Sequence, residues 1–423
     1  MWRERPLGSL FVDAQERRGS LNPGKRRNAH AASDPRTRAS RARIVQGHDM
    51  SSSEKSVVAL SELLHRRRIP ALDFLRAVAI LLVVGSHSGL PTDGGMGVEI
   101  FFVLSGFLIT WLLLQEYERS NDVNLRAFYR RRVARLAPAM VLYVFGGAAL
   151  EHLLHRPLPW YAIIGALTYT LNYVQAALGA PTHYLSHLWS LAVEEQFYLI
   201  WPLMFVLLCK RRKSLIRYLL LIWLVIDVNK LFYAFVVHAT DAYFYRALET
   251  RADELAAGCV LATVMAKSNA SELLDRIKAR PVIIALIAVV LWLFYRNLSN
   301  PIVDKYVINY SIAPILIAIL IPMLILEAGA DTFLSKILRW RVMILVGEVS
   351  YGLYLCHELV MLPIINYFQR AFHLGLLYSL GPALIVAVGV SWASFQFFET
   401  PLRAWLQGKG RRFAQQPIQA ANL

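Results

Sequence analysis

Long apolar runs separated by short polar segments fill the chain from about residue 70 onward. About 20 apolar residues suffice for one helical crossing of a bilayer. Eleven runs approach or reach that length, near residues 72–90, 97–115, 136–153, 160–178, 188–208, 215–237, 252–267, 281–297, 310–327, 343–368 and 377–398. This pattern predicts an all-α, polytopic membrane protein.

Clusters of Lys and Arg between the runs indicate which runs cross, because cytoplasmic loops carry an excess of these residues. If all eleven runs crossed, the cluster at 210–213 and several later clusters would lie outside. Omitting 160–178, which contains Asn172 and Gln175, places every cluster inside. We therefore predict about ten transmembrane helices, both termini in the cytoplasm, and an outer loop over 154–187.

Composition agrees with a membrane protein and excludes a soluble one. Hydrophobic residues make up 56% of the chain, charged residues only 17%, and the mean hydropathy is +0.43. The net charge of +16 lies in short clusters, which indicates contact with an anionic lipid bilayer rather than with nucleic acid. Residues 1–66 are basic, polar and aperiodic, which predicts a disordered tail before a membrane domain over 67–405 and a basic cytoplasmic tail over 406–423.

The first predicted helix carries three polar side chains on one stripe. Asp73 and Arg76 are three residues apart, and His87 follows eleven residues later, almost three whole turns. Arg or Asp at a bilayer centre costs roughly 2.5 to 3.5 kcal/mol, so the stripe is expected to face protein or water. The spacing leaves two interpretations open: a functional site, or interface markers followed by a satisfied interior histidine.

The next two helices add a carboxylate, small residues and an arginine pair. Glu99 lies near the outer end of the second helix, with Ser105 and Gly106 deeper, where small residues allow close helix packing. Arg132 and Arg135 share one face where the third helix enters from the cytoplasm. Arginine forks bind phosphate well, although spacing alone favours an ordinary cytoplasmic basic cluster.

Two further stretches place charges near the outer face. Glu194 and Glu195, in "HLWSLAVEEQFYLIWP", lie about two turns into a helix at the expected depth of His87. Adjacent residues point about 100° apart, so at most one of the two faces the imidazole. Arg251 and Asp253 lie at the outer entrance of another helix, and with Glu195 they are candidates for binding a polar acceptor. Interface anchoring explains them equally well.

Seven stretches, taken together and in this order, resemble one known family. They are "LDFLRAVAILLVVGSH", "GVEIFFVLSGFLI", "RRRVARLAP", "LWSLAVEEQFYLIWP", "TRADELAAG", "SYGLYLCH" and "FFETP". The family is the acyltransferase-3 family of integral-membrane acyltransferases, and the resemblance covers roughly residues 68–402.

The resemblance implies transfer of an acyl group, most often acetyl, from cytoplasmic acyl-CoA to a hydroxyl of a saccharide, lipid-linked or glycosylated acceptor. The usual setting of the family is the bacterial inner membrane. The resemblance further implies that His87 and Arg76 are essential, that Arg132 and Arg135 serve donor use, and that Glu194 is the preferred glutamate of the pair.

Two more residues match the family pattern, and the three cysteines indicate neither a metal site nor disulfide bonds. Tyr354 and His357 lie in "SYGLYLCH", where helix packing remains the favoured explanation. Cys209, Cys259 and Cys356 lie in or beside apolar runs without metal-ligand spacing, so packing is expected. Acyl-CoA is expected as a co-substrate, with no permanently bound cofactor and no metal.

The chemical role of His87 has alternatives. As a neutral general base, typically worth 10²- to 10⁴-fold in rate, it would act directly on the acceptor, with Glu194 stabilising the imidazolium and Asp73 orienting Arg76. Alternatively, His87 is acylated first and passes the group on. Ser105 as an acylated nucleophile is a third scheme, for which the sequence places no base nearby.

Two other classes of function compete with the enzyme. A saccharide or lipid transporter or flippase would line a path with buried charges and move unmodified substrate without acyl-CoA. A non-catalytic membrane scaffold would tolerate replacement of His87 and Glu194. Labelled acetyl-CoA and candidate acceptors, incubated with membranes, discriminate the three.

Overall fold

The computed structural model describes residues 68–179, 183–211, 214–266, 283–285, 287, 289 and 303–406. Within these ranges every regular element is helical, so the all-α prediction is confirmed. The predicted tails, 1–66 and the part of 406–423 beyond residue 406, and most of the run 281–297 lie outside the described residues.

The helices follow the apolar runs closely, with caps where the sequence supplies them. Pro70 begins the first helix, and Asp93 and Asn124 cap the next two by accepting from the backbone N–H of Met96 at 3.2 Å and of Ala127 at 2.9 Å. The helices are α1 Pro70–His87, α2 Gly94–Ser120, α3 Leu125–Leu153, α4 Trp160–Leu167, α5 Leu171–Leu178, α6 Leu188–Lys210, α7 Leu215–Phe232, α8 Asp241–Arg246, α9 Leu248–Met265, α10 Tyr310–Ala328, α11 Phe333–Leu338, α12 Arg341–Glu348, α13 Ser350–Phe372, α14 Leu376–Ala393 and α15 Thr400–Leu406. A 3₁₀ turn covers His183–Leu185, and π-helical turns cover Tyr233–Val237, Val303–Asn309 and Ser394–Glu399.

The described residues account for seven or eight of the ten predicted crossings. Seven helical stretches are long and apolar enough to span a membrane, or eight if α12 and α13, bent by 79° at a short break, form one broken span. Helix α9 is long enough, but Glu249, Arg251, Asp253 and Glu254 crowd its first half. The remaining predicted span, 281–297, lies mostly outside the described residues.

The segment 154–187 does not cross as a single helix. Its apolar part forms α4 and α5, each eight residues long. At 1.5 Å per residue each is about 12 Å long, far short of a bilayer core. The sequence prediction that 160–178 is not a span is therefore confirmed.

Helices α2 and α9 touch backbone to backbone at the centre of the bundle. A Cβ on Gly106 would overlap the carbonyl oxygen of Leu255, and one on Gly258 would overlap that of Val103. The prediction that Gly106 allows close helix packing is thus confirmed. Helix α1 is held similarly, because Gly347 of α12 lies against the backbone of Asp73.

Candidate active site

His87, the last residue of α1, meets His357 of α13. Nδ1 of His87 lies 2.7 Å from Nε2 of His357, and the two rings are stacked with their centroids 5.0 Å apart. Nδ1 of His357 lies 2.7 Å from the carbonyl oxygen of Tyr354, which can only accept. Neutral His357 therefore carries its proton on Nδ1 and accepts at Nε2. His87 then donates from Nδ1, and its Nε2 keeps a lone pair.

The carboxylate next to this pair is Glu358, not Glu194. Oε1 of Glu358 lies 3.3 Å from Nδ1 of His87, and Oε2 lies 3.4 Å from Nδ1 of His187. The expected pairing of Glu194 with His87 is wrong, because the residue of that stretch at the level of His87 is His187. Glu194 lies seven residues later, about 10 Å further along the α6 axis.

Glu194 instead lies in a polar network between α2 and α6. Its Oε1 accepts from the hydroxyls of Ser105 at 2.5 Å and of Tyr198 at 2.7 Å. The expectation that no base stands beside Ser105 is therefore wrong. Ser105 does not line the cavity at His87, however.

Glu195 pairs with Arg132, so neither residue is free in this structure. Nε and Nη2 of Arg132 lie 3.1 Å and 2.8 Å from Oε1 of Glu195, and the guanidinium stacks on the ring of Tyr198 at 3.1 Å. The carboxylate of Glu195 is thus held by arginine, and its expected contact with the acceptor stays a prediction. Glu195 accepts from Nε and Nη2 only, so Nη1 of Arg132 can still donate to an anion such as a phosphate.

Arg135 and Arg76 differ from Arg132 in having no carboxylate partner among the described residues. Both are half-buried, and in the part of the chain that the structure describes neither has a hydrogen bond or salt bridge. Arg135 is exposed to the positive charges of Arg76, Arg132 and Arg403. No salt bridge joins Asp73 to Arg76, so orientation of Arg76 by Asp73 through direct pairing is contradicted. The four arginines form a basic cluster, hereafter the arginine cluster.

Arg251 and Asp253 are fully buried inside the bundle and do not line the cavity at His87, so their expected contact with an acceptor stays a prediction. Nη2 of Arg251 donates to Glu254 at 3.1 Å, and Lys230 donates to Asp253 at 2.5 Å. Glu99 is also fully buried, and neither carboxylate oxygen has a hydrogen-bond partner in the described structure. The sequence missed this network because its members come from separate helices.

Tyr354 and His357 are buried on α13, as helix packing predicts, and they also contact the residues around His87. Tyr354 donates to the carbonyl oxygen of His187 at 2.9 Å and also contacts the hydroxyl of Ser190. It thereby fixes the turn that carries His187, while His357 fixes His87 directly.

A cavity of about 570 Å³ opens beside His87. The side chain of His87 is 36% exposed, so its ring is accessible from this space. The rings of Trp189 and Tyr245 lie 4.7 Å apart at the wall, and carboxylates and cations are both present. This mixture of aromatic and charged groups suits a polar, ring-shaped ligand. The lining includes His87, His187, Trp189, Asp241, Tyr245 and Lys305.

The histidine cluster also meets the distance requirement for a metal. Ligand atoms of His87, His357 and Glu358 lie within 4.8 Å of one another. The 2.7 Å separation of the two imidazole nitrogens is a hydrogen-bond length, however. The absence of a metal therefore stays a prediction.

Glu358 and His187 are the residues that sequence reasoning missed. Glu358 directly follows His357 in an apolar run, and His187 opens "HLWSLAVEEQ". A buried ionisable residue inside a membrane segment indicates a functional site by default, and that signal was present for Glu358.

Comparison with known proteins gives one consistent result. A family model described as an acyltransferase domain matches residues 69–395. A putative peptidoglycan O-acetyltransferase, YrhL of Bacillus subtilis, is 32% identical over 80% of this chain and 55% of its own length. The peptidoglycan O-acetyltransferase OatA of Listeria monocytogenes is 29% identical over 80% of this chain and 56% of its own. The O-acetyltransferase OatA of Staphylococcus aureus is 29% identical over 85% and 62%.

The chain thus spans between 55% and 62% of the length of these relatives. No solved structure matches it significantly.

Proposed function

Because the chain belongs to the acyltransferase-3 family, we propose that it is a membrane-bound O-acyltransferase. It moves an acyl group, most simply acetyl, from cytoplasmic acyl-CoA to a hydroxyl of a saccharide. The observation that carries this proposal is the imidazole of His87, whose Nε2 lone pair is set by the hydrogen bond to His357 and which borders an open cavity.

The acceptor side of the proposal rests on the cavity beside His87. Its volume of about 570 Å³ falls within the range of small-molecule sites and can hold a sugar. The relatives are named for O-acetylation, two of them for peptidoglycan, so a saccharide of the bacterial cell envelope is the acceptor class that we propose. The membrane is then the bacterial inner membrane.

The donor side rests on the arginine cluster. The guanidinium of Arg135 has no direct partner in the described residues and suits the phosphates of CoA. Arg76 lies eleven residues before His87, about 16 Å along the helix axis. The extended pantetheine arm of CoA would span this distance and bring the thioester from the arginine cluster to the imidazole of His87.

The reaction begins with removal of the acceptor proton by Nε2 of His87, which is typically worth 10²- to 10⁴-fold. The acceptor oxygen attacks the thioester carbonyl, the C–O bond forms and the C–S bond breaks. The leaving thiolate then takes the proton from His87. The competing scheme, in which His87 is acylated first, uses the same lone pair and is excluded if no acyl-His87 forms without acceptor.

The test is an assay of membranes with labelled acetyl-CoA and candidate saccharides. The protein should give label in the acceptor, and His87→Ala should lower the rate of labelling about 10²- to 10⁴-fold without changing expression or membrane insertion. His152→Ala, at an exposed histidine in the last turn of α3, is the matched control and should retain activity. Movement of unmodified saccharide without acyl-CoA would instead establish the transporter alternative.

A further inference from the structure

Glu358 joins three segments of the chain around the imidazole of His87. Its Oε1 lies 3.3 Å from Nδ1 of His87, and its Oε2 lies 3.4 Å from Nδ1 of His187. The hydroxyl of Ser186 donates to both oxygens, at 3.1 Å each. Glu358 itself is buried on α13, with 7% of its surface exposed.

A buried carboxylate of this kind requires positive or hydrogen-bonding partners, because an unpaired charge away from water is costly. In the described residues its partners are imidazoles and one hydroxyl, and it forms no salt bridge with Lys or Arg. An imidazole is positive only when protonated at both nitrogens. The contacts of Glu358 are therefore strongest when His87 holds an extra proton.

We propose that Glu358 is a positioning residue that stabilises protonated His87 during acyl transfer, which deepens the proposed function and rests on it. When the acceptor hydroxyl gives its proton to Nε2 of His87, the ring becomes an imidazolium whose Nδ1 side faces Glu358. The thiolate formed by cleavage of the C–S bond then removes the proton from Nε2. Glu358 stays ionised throughout and lowers the free energy of the imidazolium.

Ser186 and His187 complete this arrangement by fixing the carboxylate. With one oxygen held near His87 and the other near His187, the carboxylate cannot rotate without losing contacts. This fixed geometry matters because preorganised charge costs no rearrangement at the moment of reaction.

Metal coordination is the competing role for the same side chains. A metal bound to Nδ1 of His87 would leave the proton on Nε2 and remove the base. Ligand atoms around tetrahedral zinc, with bonds of about 2.0–2.1 Å, lie about 3.3 Å apart. Nδ1 of His87 and Nε2 of His357 are 2.7 Å apart, which is a hydrogen-bond distance and too short for two ligands of one zinc ion.

The first test compares variants of Glu358 in the full chain. Glu358→Gln keeps the shape but removes the charge, and kcat should fall about 10²- to 10³-fold while KM for acetyl-CoA and for the saccharide changes less than about threefold. Glu358→Asp keeps the charge, and its kcat should be about tenfold higher than that of Glu358→Gln. The control is Glu249→Gln, at a carboxylate that accepts from Tyr173 at 2.7 Å outside the cavity lining, and it should leave kcat unchanged.

Ser186→Ala provides a second variant that does not touch the buried charge. Loss of one hydrogen bond to the carboxylate should lower kcat about two- to tenfold at unchanged KM. Full kcat in both Glu358→Gln and Ser186→Ala would overturn the proposal.

A double variant separates an action through His87 from a structural role. If Glu358 acts through His87, then His87→Ala with Glu358→Gln should be no slower than His87→Ala alone. An additional loss in the double variant, or stoichiometric zinc in the purified protein that Glu358→Gln removes, would overturn the proposal. Full turnover in His87→Ala would overturn the proposed function itself, whereas an inactive His87→Ala beside a normal Glu358→Gln would overturn this inference alone.

Discussion

At the scale of single residues, Arg132 and Arg135 share a face of α3 but differ in what they contact. Arg132 is bound by both oxygens of Glu195 and stacked on Tyr198. Arg135 has no hydrogen bond or salt bridge in the described structure. A charge-assisted hydrogen bond contributes about 1.5–3 kcal/mol, and Arg135 can give one to a phosphate with all of its N–H groups, whereas Arg132 shares its donors with Glu195.

The donor prediction follows from that difference. Arg135→Ala should raise KM for acetyl-CoA about tenfold or more, with a smaller effect on kcat, in a steady-state assay with saturating saccharide. Arg132→Ala should also raise KM for acetyl-CoA, and it should lower thermal stability because it leaves the half-buried Glu195 without its partner.

Arg131→Ala is the control for this prediction. Arg131 is exposed and pairs with Glu116 at 3.3 Å, so its loss should change neither KM for acetyl-CoA nor kcat. A defect in Arg135→Ala confined to KM for the saccharide would contradict the assignment of the arginine cluster to the donor.

The sequence pointed to His87 and to the arginines as candidates, but it did not identify the partners of His87. Spacing along one helix identifies side chains on one face, and that reasoning placed Asp73, Arg76 and His87 together. The contact between His87 and His357 joins positions 270 residues apart, and only the packing of α1 against α13 brings them together. Sequence position alone does not show that His187, and not Glu194, lies at the level of His87, because the depth of a residue depends on where its helix begins.

At the scale of helices, the close approach of α2 and α9 sets the centre of the bundle. Glycines at 106 and 258 leave no space for a Cβ between the two backbones. Membrane helices associate through such packing, because lipid tails provide no hydrophobic drive between them. Helix α9 is thereby held inside the protein, where its buried charges find partners.

A substitution at this contact should separate the two helices. Gly106→Ala should lower stability by about 1–3 kcal/mol, because the new methyl group overlaps a backbone carbonyl that cannot rotate away. The measurement is thermal denaturation in detergent followed by size-exclusion chromatography. Gly389→Ala is the matched control, since a Cβ there meets nothing within 4 Å. Equal melting temperatures for the two variants would contradict the packing argument.

The apolar pattern predicted most helices but not the break between α12 and α13. Residues 343–368 read as one continuous apolar run, whereas the chain bends by 79° next to Val349. The bend accompanies the contact of Gly347 with the backbone of Asp73, and a hydropathy pattern contains no information about such tertiary contacts.

At the scale of the whole molecule, the proposed donor and acceptor sites lie at different levels of the helix bundle. His87 ends α1 beside the cavity, whereas Arg76 lies in the second turn of the same helix. The predicted topology puts the arginines toward the cytoplasm and the cavity toward the outside. The two substrates then approach from opposite faces and meet at the imidazole.

Labelling of single cysteines tests this orientation. Leu178→Cys, at a residue 63% exposed at the end of α5, should react with a membrane-impermeant maleimide on intact cells. Phe333→Cys, at a residue 80% exposed at the start of α11, should react only after permeabilisation. The unsubstituted protein, with its three cysteines, gives the background. Reaction of both variants from the same side would contradict the predicted topology.

Part of the cavity wall comes from Asp241, Tyr245 and Lys305, which belong to α8 and to the turn before α10. None of the four clustered arginines is on those segments. Under the proposed function, substitutions in these segments should therefore change which saccharide is bound without altering the arginines that we assign to the donor. Chimeras that exchange only these segments between relatives should alter the specificity for the saccharide.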